Sequence, residues 1–225
     1  KNYPILIDEE GGKVSRLSNF IDSSIFSSEF FGNLYKNNKK KFYIYFNVYI
    51  KQICYLLNIL GININTVPVL DVKRNITNNV IGNRSFSKNP KIVSKLGNIC
   101  INKFHKNGIA TVIKHIPGHG LSKVDSHKKL PFINQNIKLL DKIDFHPFKN
   151  QKSFLAMTAH IVYKSIDKKN TATHSNKIIK IIRKKIGFKH LIMSDDISMK
   201  ALKFTVSKNT TQAFNAGCNL VLHCN

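Results

Sequence analysis

The sequence predicts an α/β fold with parallel strands, specifically a TIM (β/α)8-type barrel, on two observations. Short apolar runs alternate with segments of helical periodicity along the chain. A charged or hydrogen-bonding residue follows each of six such runs: Asp8, Asp71, Lys114, His160, Asp195 and Asn225. A barrel gathers the C-terminal ends of its strands on one face and builds its site there, whereas an open doubly wound sheet uses them only near a switch point. Barrels of this type usually run to about 250 residues. The expectation is therefore a barrel reduced to about six βα units, lacking one at the front and at least one at the back. The 225 residues are most economically read as a single catalytic domain over 1–225, long enough to bury a full core.

The elements follow in order. Residues 3–7 (YPILI) read as a strand. Residues 42–60 carry Phe46, Ile50, Ile53 and Leu57 at helical spacing, and Gly61 stops them. Residues 64–70 (INTVPVL) are a second strand, and Asn89-Pro90 opens a helix that Gly108 closes. The third strand is residues 109–113 (IATVI), ended by Pro117, Gly118 and Gly120. A less regular helix spans 137–148 around Pro147, and residues 154–159 (FLAMTA) are the fourth strand. Thr173 or Ser175 caps a basic helix that Gly187 terminates. Residues 190–194 (HLIMS) are the fifth strand, residues 213–217 close a short helix, and 219–224 (NLVLHC) are the sixth strand.

Charge is the compositional outlier, with 36 Lys+Arg against 12 Asp+Glu for a net +24. The lysines are spread along the whole chain, as in KNNKKKF and KIIKIIRKKI, and no RNP, KH or zinc-finger signature accompanies them. That distribution favours a compositional bias over a specific nucleic-acid partner. No apolar run is long enough to suggest a membrane span. The opening residues do not resemble a signal peptide, and the absence of an initiator Met suggests numbering that starts inside a longer chain. Cys54, Cys100, Cys218 and Cys224 form no CxxC pair and read as small hydrophobes of a reducing, cytoplasmic compartment.

Several constellations carry chemistry. Asp195-Asp196 at a strand end offers a glycosidase nucleophile, a metal ligand or a helix cap, and only one of the two can cap. Asp125 lies two residues before His127, close enough to orient its imidazole for proton transfer near neutral pH. His115, His119, Asp125 and His127 could instead hold a divalent metal, but Pro117-Gly118 disfavour the helix that an HxxxH pair needs. Ser126 lacks a nucleophile elbow. IDEEGGKVSR (residues 7–16) places Asp8 to accept sugar hydroxyls and Arg16 to meet an anion, while Gly11-Gly12 is a weak phosphate-loop signal. IGNRSF presents Arg84 on a turn.

IDEEGGKVSR, PVLDV, IGNRSF, KHIPGHG, DSH, MTAH, MSDDISMKA and AGCNLVLHCN together, in this order, resemble the glycoside hydrolase family 3 β-N-acetylglucosaminidases of peptidoglycan recycling. The resemblance implies a TIM barrel and retaining hydrolysis through a covalent glycosyl-enzyme, without metal or other cofactor. By motif matching it puts Asp195 in the nucleophile's place and His127 in that of the general acid/base, with Asp125 as its partner. Asp8, Arg16, Arg84, Lys114 and His115 fall where the family binds N-acetylglucosamine. The implied ligand is a muropeptide or N-acetylglucosaminide, met by a monomeric protein. Lys13 departs from the arginine common in the family's EGGR. Other readings are a β-glucosidase or phosphorylase of the same family, a sugar-binding protein without turnover, and a metal-dependent hydrolase.

Overall fold

The computed structural model describes residues 3–74, 80–122 and 130–224. Six strands form one sheet, all parallel, in the order β1 (Leu6–Ile7), β2 (Ile64–Asn65), β3 (Ala110–Ile116), β5 (Leu155–Thr158), β7 (Leu191–Asp196) and β8 (Leu220–Leu222). Neighbours in that sheet follow chain order, as a barrel wound in one direction requires. Among the described residues β1 and β8 do not meet, so the sheet is six strands of a ring and not a closed one. The expected count of six therefore holds. A second, two-stranded parallel sheet pairs β4 (Phe132–Ile133) with β6 (Val162–Tyr163); the sequence reading has no counterpart for it.

Helices supply the crossovers that parallel pairing demands. Between β1 and β2 lie α1 (Ser28–Asn37) and α2 (Lys39–Ile59). Ser27 caps α1, accepting from the Phe30 N–H, and Asn38 caps α2 through Lys41 N. The sequence reading contains α2 but not α1. Asn89 caps α3 (Pro90–Lys106) with Pro90 in its first turn, as the Asn-Pro pair predicts. The irregular piece near Pro147 resolves into α4 (Ile137–Ile143) and a 3-10 turn, His146–Phe148. Ser175, not Thr173, caps α5 (Asn176–Ile181), which runs on through a π turn, Ile182–Ile186, to left-handed Gly187. Thr205 caps α6 (Val206–Ala216). No described helix is long and apolar enough to cross a membrane.

The two faces of the sheet bury different residues. Ile113, Ala156 and Ile192 point outward and join Ile53 and Leu57 of α2 and Leu96 of α3 in the large outer core. Val112, Leu155, Met157 and Met193 form a separate inner cluster, against which Leu6, Ile64 and Leu222 pack. Strand side chains alternate with a period of two. The inner cluster is thus the apolar floor of the barrel interior, and whatever lies two residues further along each strand faces the same way. Cys54, Cys100 and Cys218 are buried free thiols, whereas Cys224 is exposed.

Candidate active site

Counting two residues on from the inner floor gives Asp8 from Leu6, Thr66 from Ile64, Lys114 from Val112 and Asp195 from Met193. The alternation places one carboxylate, one hydroxyl, one ammonium and a second carboxylate at the C-terminal mouth of the sheet. There Asp8, Lys114 and Asp195 line a cleft of about 250 Å³ together with Glu10, Arg16, Arg84, His115 and Asp196, while Thr66 is buried and bonded to Lys114 and Asp8. Every substrate-binding residue expected from the sequence lies on that cleft.

Lys114 ties the floor of this cleft together. Its Nζ donates to Asp8 Oδ1 and Thr66 Oγ1, each at 2.8 Å, and lies 2.6 Å from Glu10 Oε1. Glu10 in turn accepts from Arg84 Nε and Nη2, both at 2.8 Å, in a bidentate pair. Burial alone would neutralise Glu10, yet Lys114 and Arg84 outweigh it and hold the carboxyl down at about 2. Burial likewise pushes the Asp8 carboxyl up, but Lys114 pulls it below the ordinary carboxylate value. Its Oδ1 takes the bonds from Lys114 and Thr66, and no hydrogen bond from a described residue reaches Oδ2.

The third carboxylate of IDEE turns the other way. Glu9 is buried and accepts from Ser15 Oγ and from Arg16 N and Leu17 N at 3.0, 2.6 and 3.0 Å. It shapes the loop that presents the exposed Arg16 over the cleft. Gly11 and Gly12 have φ of +77° and +63° and form a turn packed on other residues. A Cβ at Gly11 would stand 2.4 Å from the Tyr49 hydroxyl, and one at Gly12 2.8 Å from Ser27 Cβ. The pair is a tightly packed turn, which removes the phosphate-cradling reading.

β3 runs further than its apolar stretch suggests, through Lys114 and His115 to Ile116, with a register shift between Lys114 and Ile116. A cis peptide joins Lys114 to His115. Asp71, fully buried after β2, organises this corner. It accepts from His115 Nδ1 at 2.6 Å and from the His119 backbone N–H at 2.6 Å. Burial opposes its charge, but His115 and the His119 N–H prevail and keep it ionised. His119 thereby acquires a role through its main chain; its own ring is buried and pushed down to about 4, so it is neutral.

The IPGHG segment beyond Lys114-His115 is packed into the fold. Residues 116–120 are all buried. A Cβ on Gly120 would fall 2.1 Å from the Val72 carbonyl oxygen, and one on Gly118 2.8 Å from Asp144 Cβ. Tyr163 donates to the Gly118 carbonyl. The segment is a clamped corner.

Asp195 and Asp196 divide the work between them. Asp196 accepts from Ser198 N at 3.0 Å and Ser198 Oγ at 2.6 Å, which is turn capping. The residues after it form turns, and the next helix waits until Val206. Asp195 is half-buried on the cleft, its Oδ1 accepting the Asp196 N–H at 2.8 Å. Desolvation would raise its pKa, but His160, His115, that N–H and Lys114 together lower it.

Asp8, Arg16, Arg84, Lys114, His115 and Asp195 therefore converge. Asp125 and His127 lie outside the described residues, as does part of the alternative metal set. The sequence reading assigns no role to Glu10, Thr66, Asp71 or His160. The strand-end rule marks Asp71 and His160, which follow the apolar runs 64–70 and 154–159, but not Thr66 or Glu10, and nothing local says which neighbour each will meet.

Parallel strands carrying a carboxylate-and-cation cleft on their C-terminal ends define a TIM-type barrel domain, with its cleft at the face where such barrels place their sites. More narrowly, the chain belongs to glycosyl hydrolase family 3, whose N-terminal domain matches residues 4–225. It is 34% identical over 236 residues to beta-hexosaminidase A of Pseudoalteromonas piscicida, an alignment covering 97% of this chain and 39% of that protein. The structure of a family 3 beta-N-acetylglucosaminidase from Paenibacillus sp. matches at TM-score 0.85 and 30% identity, over 99% of this chain and 42% of that one. NagZ from Neisseria gonorrhoeae, solved in complex with N-trifluoroacetyl-D-glucosamine, matches at TM-score 0.85 and 31% identity, over 99% and 65%. The chain thus spans between 39% and 65% of the lengths of these three proteins.

Proposed function

We propose that this chain is the catalytic barrel of a β-N-acetylglucosaminidase that removes terminal β-linked N-acetylglucosamine, with retention, from peptidoglycan-derived muropeptides. The observation that carries the reading is the position of Asp195. It is an ionised, half-buried carboxylate at a strand end, facing a cleft whose other groups suit a sugar. The relatives' names and the N-acetylglucosamine analogue bound by the Neisseria protein support the substrate class.

In this reading the Asp195 carboxylate attacks the anomeric carbon as the bond to the leaving oxygen breaks, and His127 donates a proton to that oxygen. His127, now neutral, takes a proton from water, which attacks the same carbon and frees Asp195. Asp125 favours the imidazolium that the first step needs. The low pKa of Asp195 keeps it a nucleophile at the pH where His127 is still protonated, so the two environments separate the two roles. Asp8 accepts sugar hydroxyls through Oδ2. Arg16 and Arg84 donate to the sugar's oxygens, and His115 borders the same cleft. Lys114 has three Nζ hydrogens and three partners, Asp8, Thr66 and Glu10, so it meets the sugar by exchanging one of them for a hydroxyl. Glu10 already holds Lys114 and Arg84, so neither long side chain has to be ordered on binding.

Release of p-nitrophenol from its β-N-acetylglucosaminide by the full-length protein tests this. Turnover of that substrate well above the β-glucoside, abolished by Asp195→Ala, is expected. Preference for the glucoside, or full activity in Asp195→Ala, overturns it.

A further inference from the structure

MTAH ends in a histidine that the site described above does not use. His160 is fully buried, so it does not touch a substrate. Its two ring nitrogens are both occupied: Nε2 lies 2.9 Å from the Asp196 carbonyl oxygen and Nδ1 2.7 Å from Thr173 Oγ1. Thr173 Oγ1 is also 2.8 Å from Thr158 Oγ1, at the end of β5.

The proton positions in this chain are fixed by what each atom can do. A carbonyl oxygen only accepts, so Nε2 carries a hydrogen. Burial disfavours a second proton on the ring, so Nδ1 accepts, and its donor is the Thr173 hydroxyl. Having given its one hydrogen, Thr173 accepts from Thr158. The result is a one-directional relay of hydrogen bonds, from Thr158 to Thr173 to His160 to the Asp196 carbonyl.

The place of that carbonyl gives the relay its purpose. β5 pairs with β7 only as far as Met157 with Met193. Beyond Met193 the ladder from β7 to β8 also slips, resuming at Asp196 with Leu222. Ser194 and Asp195 therefore leave regular pairing where the cleft begins, and Asp196 regains it on the β8 side alone. On the β8 side they are held by Leu222, which donates from its N–H to Ser194 Oγ at 2.9 Å and accepts from Ile197 N at 2.9 Å. On the β5 side His160 binds the main chain of Asp196, whose own N–H in turn fixes Asp195 Oδ1.

We propose that His160 is a positioning residue, a neutral Nε2–H tautomer that substitutes for the missing β5 ladder and fixes the aim of the Asp195 carboxylate. The proposal rests on Asp195 being the nucleophile. A misplacement on the order of 1 Å at a reacting group can cost about 10²-fold in rate. His160→Leu removes the donor and should lower kcat on the p-nitrophenyl β-N-acetylglucosaminide by roughly that factor, with KM changed by less than about 3-fold. His160→Gln reaches the same carbonyl with an amide N–H and should recover at least about 10-fold of the loss. Thr173→Val, which withdraws the hydroxyl from Nδ1 at nearly constant volume, should lower kcat in the same sense and remains available if the leucine variant does not fold.

The tautomer supplies a readout independent of turnover. Nitrogen-15 NMR of the histidine-labelled protein, with the His160 signals assigned by their loss in His160→Gln, should show that ring as neutral Nε2–H at neutral pH, and Thr173→Val should perturb it. A His160→Leu protein that folds with unchanged kcat overturns the proposal, as does a His160 ring that carries its hydrogen on Nδ1 or is protonated at neutral pH. Adduct mapping with a fluorinated substrate analogue separates the two claims. A wild-type adduct on a residue other than Asp195 sinks the nucleophile reading, whereas an Asp195 adduct formed as fast in His160→Leu sinks only the role given to His160.

Discussion

Replacing Glu10 by Gln tests how the cleft is built and whether its charges hold the fold. The change keeps the shape and removes one buried charge from between Arg84 and Lys114. Lys114 retains Asp8 and Thr66, so most of the damage falls on Arg84, which loses both arms of a bidentate pair. Breaking a buried ion pair by removing one partner costs about 3–5 kcal/mol. The titration of Glu10 gives a matching figure. Its folded-state pKa is about 2 against the ordinary 4.5, a gap worth about 3 kcal/mol. The sign follows from the direction of that shift. A depressed carboxylate stabilises the fold fully above its unfolded value and loses that contribution as pH falls from 4.5 towards 2. Urea unfolding followed by circular dichroism should therefore show Glu10→Gln less stable by about 3 kcal/mol at pH 7, with the difference at least halved by pH 3. Asp71 and Asp195, both with lowered pKa values, weaken both proteins alike as pH falls, whereas Asp8 is pushed up by Glu10, so the difference reports Glu10 together with its coupling to Asp8. A difference below about 1 kcal/mol at pH 7, or one that does not change with pH, would refute the argument.

Other expectations follow from the same geometry. Gly120→Ala puts a Cβ against the Val72 carbonyl and should destabilise by about 1–3 kcal/mol, read as a lower urea midpoint at unchanged slope; a neutral effect would show that the corner yields. Asp8→Asn should raise KM for the N-acetylglucosaminide more than it lowers kcat, and a pure kcat effect in steady-state assays would remove Asp8 from sugar binding. His127→Ala should slow substrates with poor leaving groups far more than activated aryl glycosides, and equal losses on both would count against its role as acid. In the wild type, the acidic limb of the kcat/KM profile should fall below the usual carboxylate range near 3.9, because Asp195 is held down.

Much of this architecture is legible because a buried parallel strand leaves a strong local mark: an apolar run stopped by a polar residue. That mark locates all six strands of the main sheet, and the capping pairs Asn89-Pro90 and Ser175 locate two helices. It fails where the local signal is weak. The buried face of α1 is only Phe31, Gly32 and Tyr35, too little apolar periodicity to register, although Ser27 and Glu29 form a readable start. β4 and β6 have two residues each and exist only because they meet each other. The site divides along the same line. Asp8, Lys114 and Asp195 follow from period-two counting along strands. The functions of Asp71 and His119 depend on a main-chain N–H reaching a carboxylate from 48 residues away, and no spacing rule encodes that. Nor does any pattern within IDEEGG announce that Glu9 turns inward to shape a loop while its neighbours face the cleft.

The central claim is that Asp195 forms the covalent bond to the sugar. Incubating the full-length protein with a fluorinated N-acetylglucosaminide that accumulates the glycosyl-enzyme, then digesting it and sequencing the labelled peptide by mass spectrometry, tests that claim most directly. The account predicts one sugar per chain, carried on Asp195 in the MSDDISMK stretch and absent from Asp195→Ala. An adduct on Asp8, Glu10 or Asp196, or labelling that persists in Asp195→Ala, would contradict it.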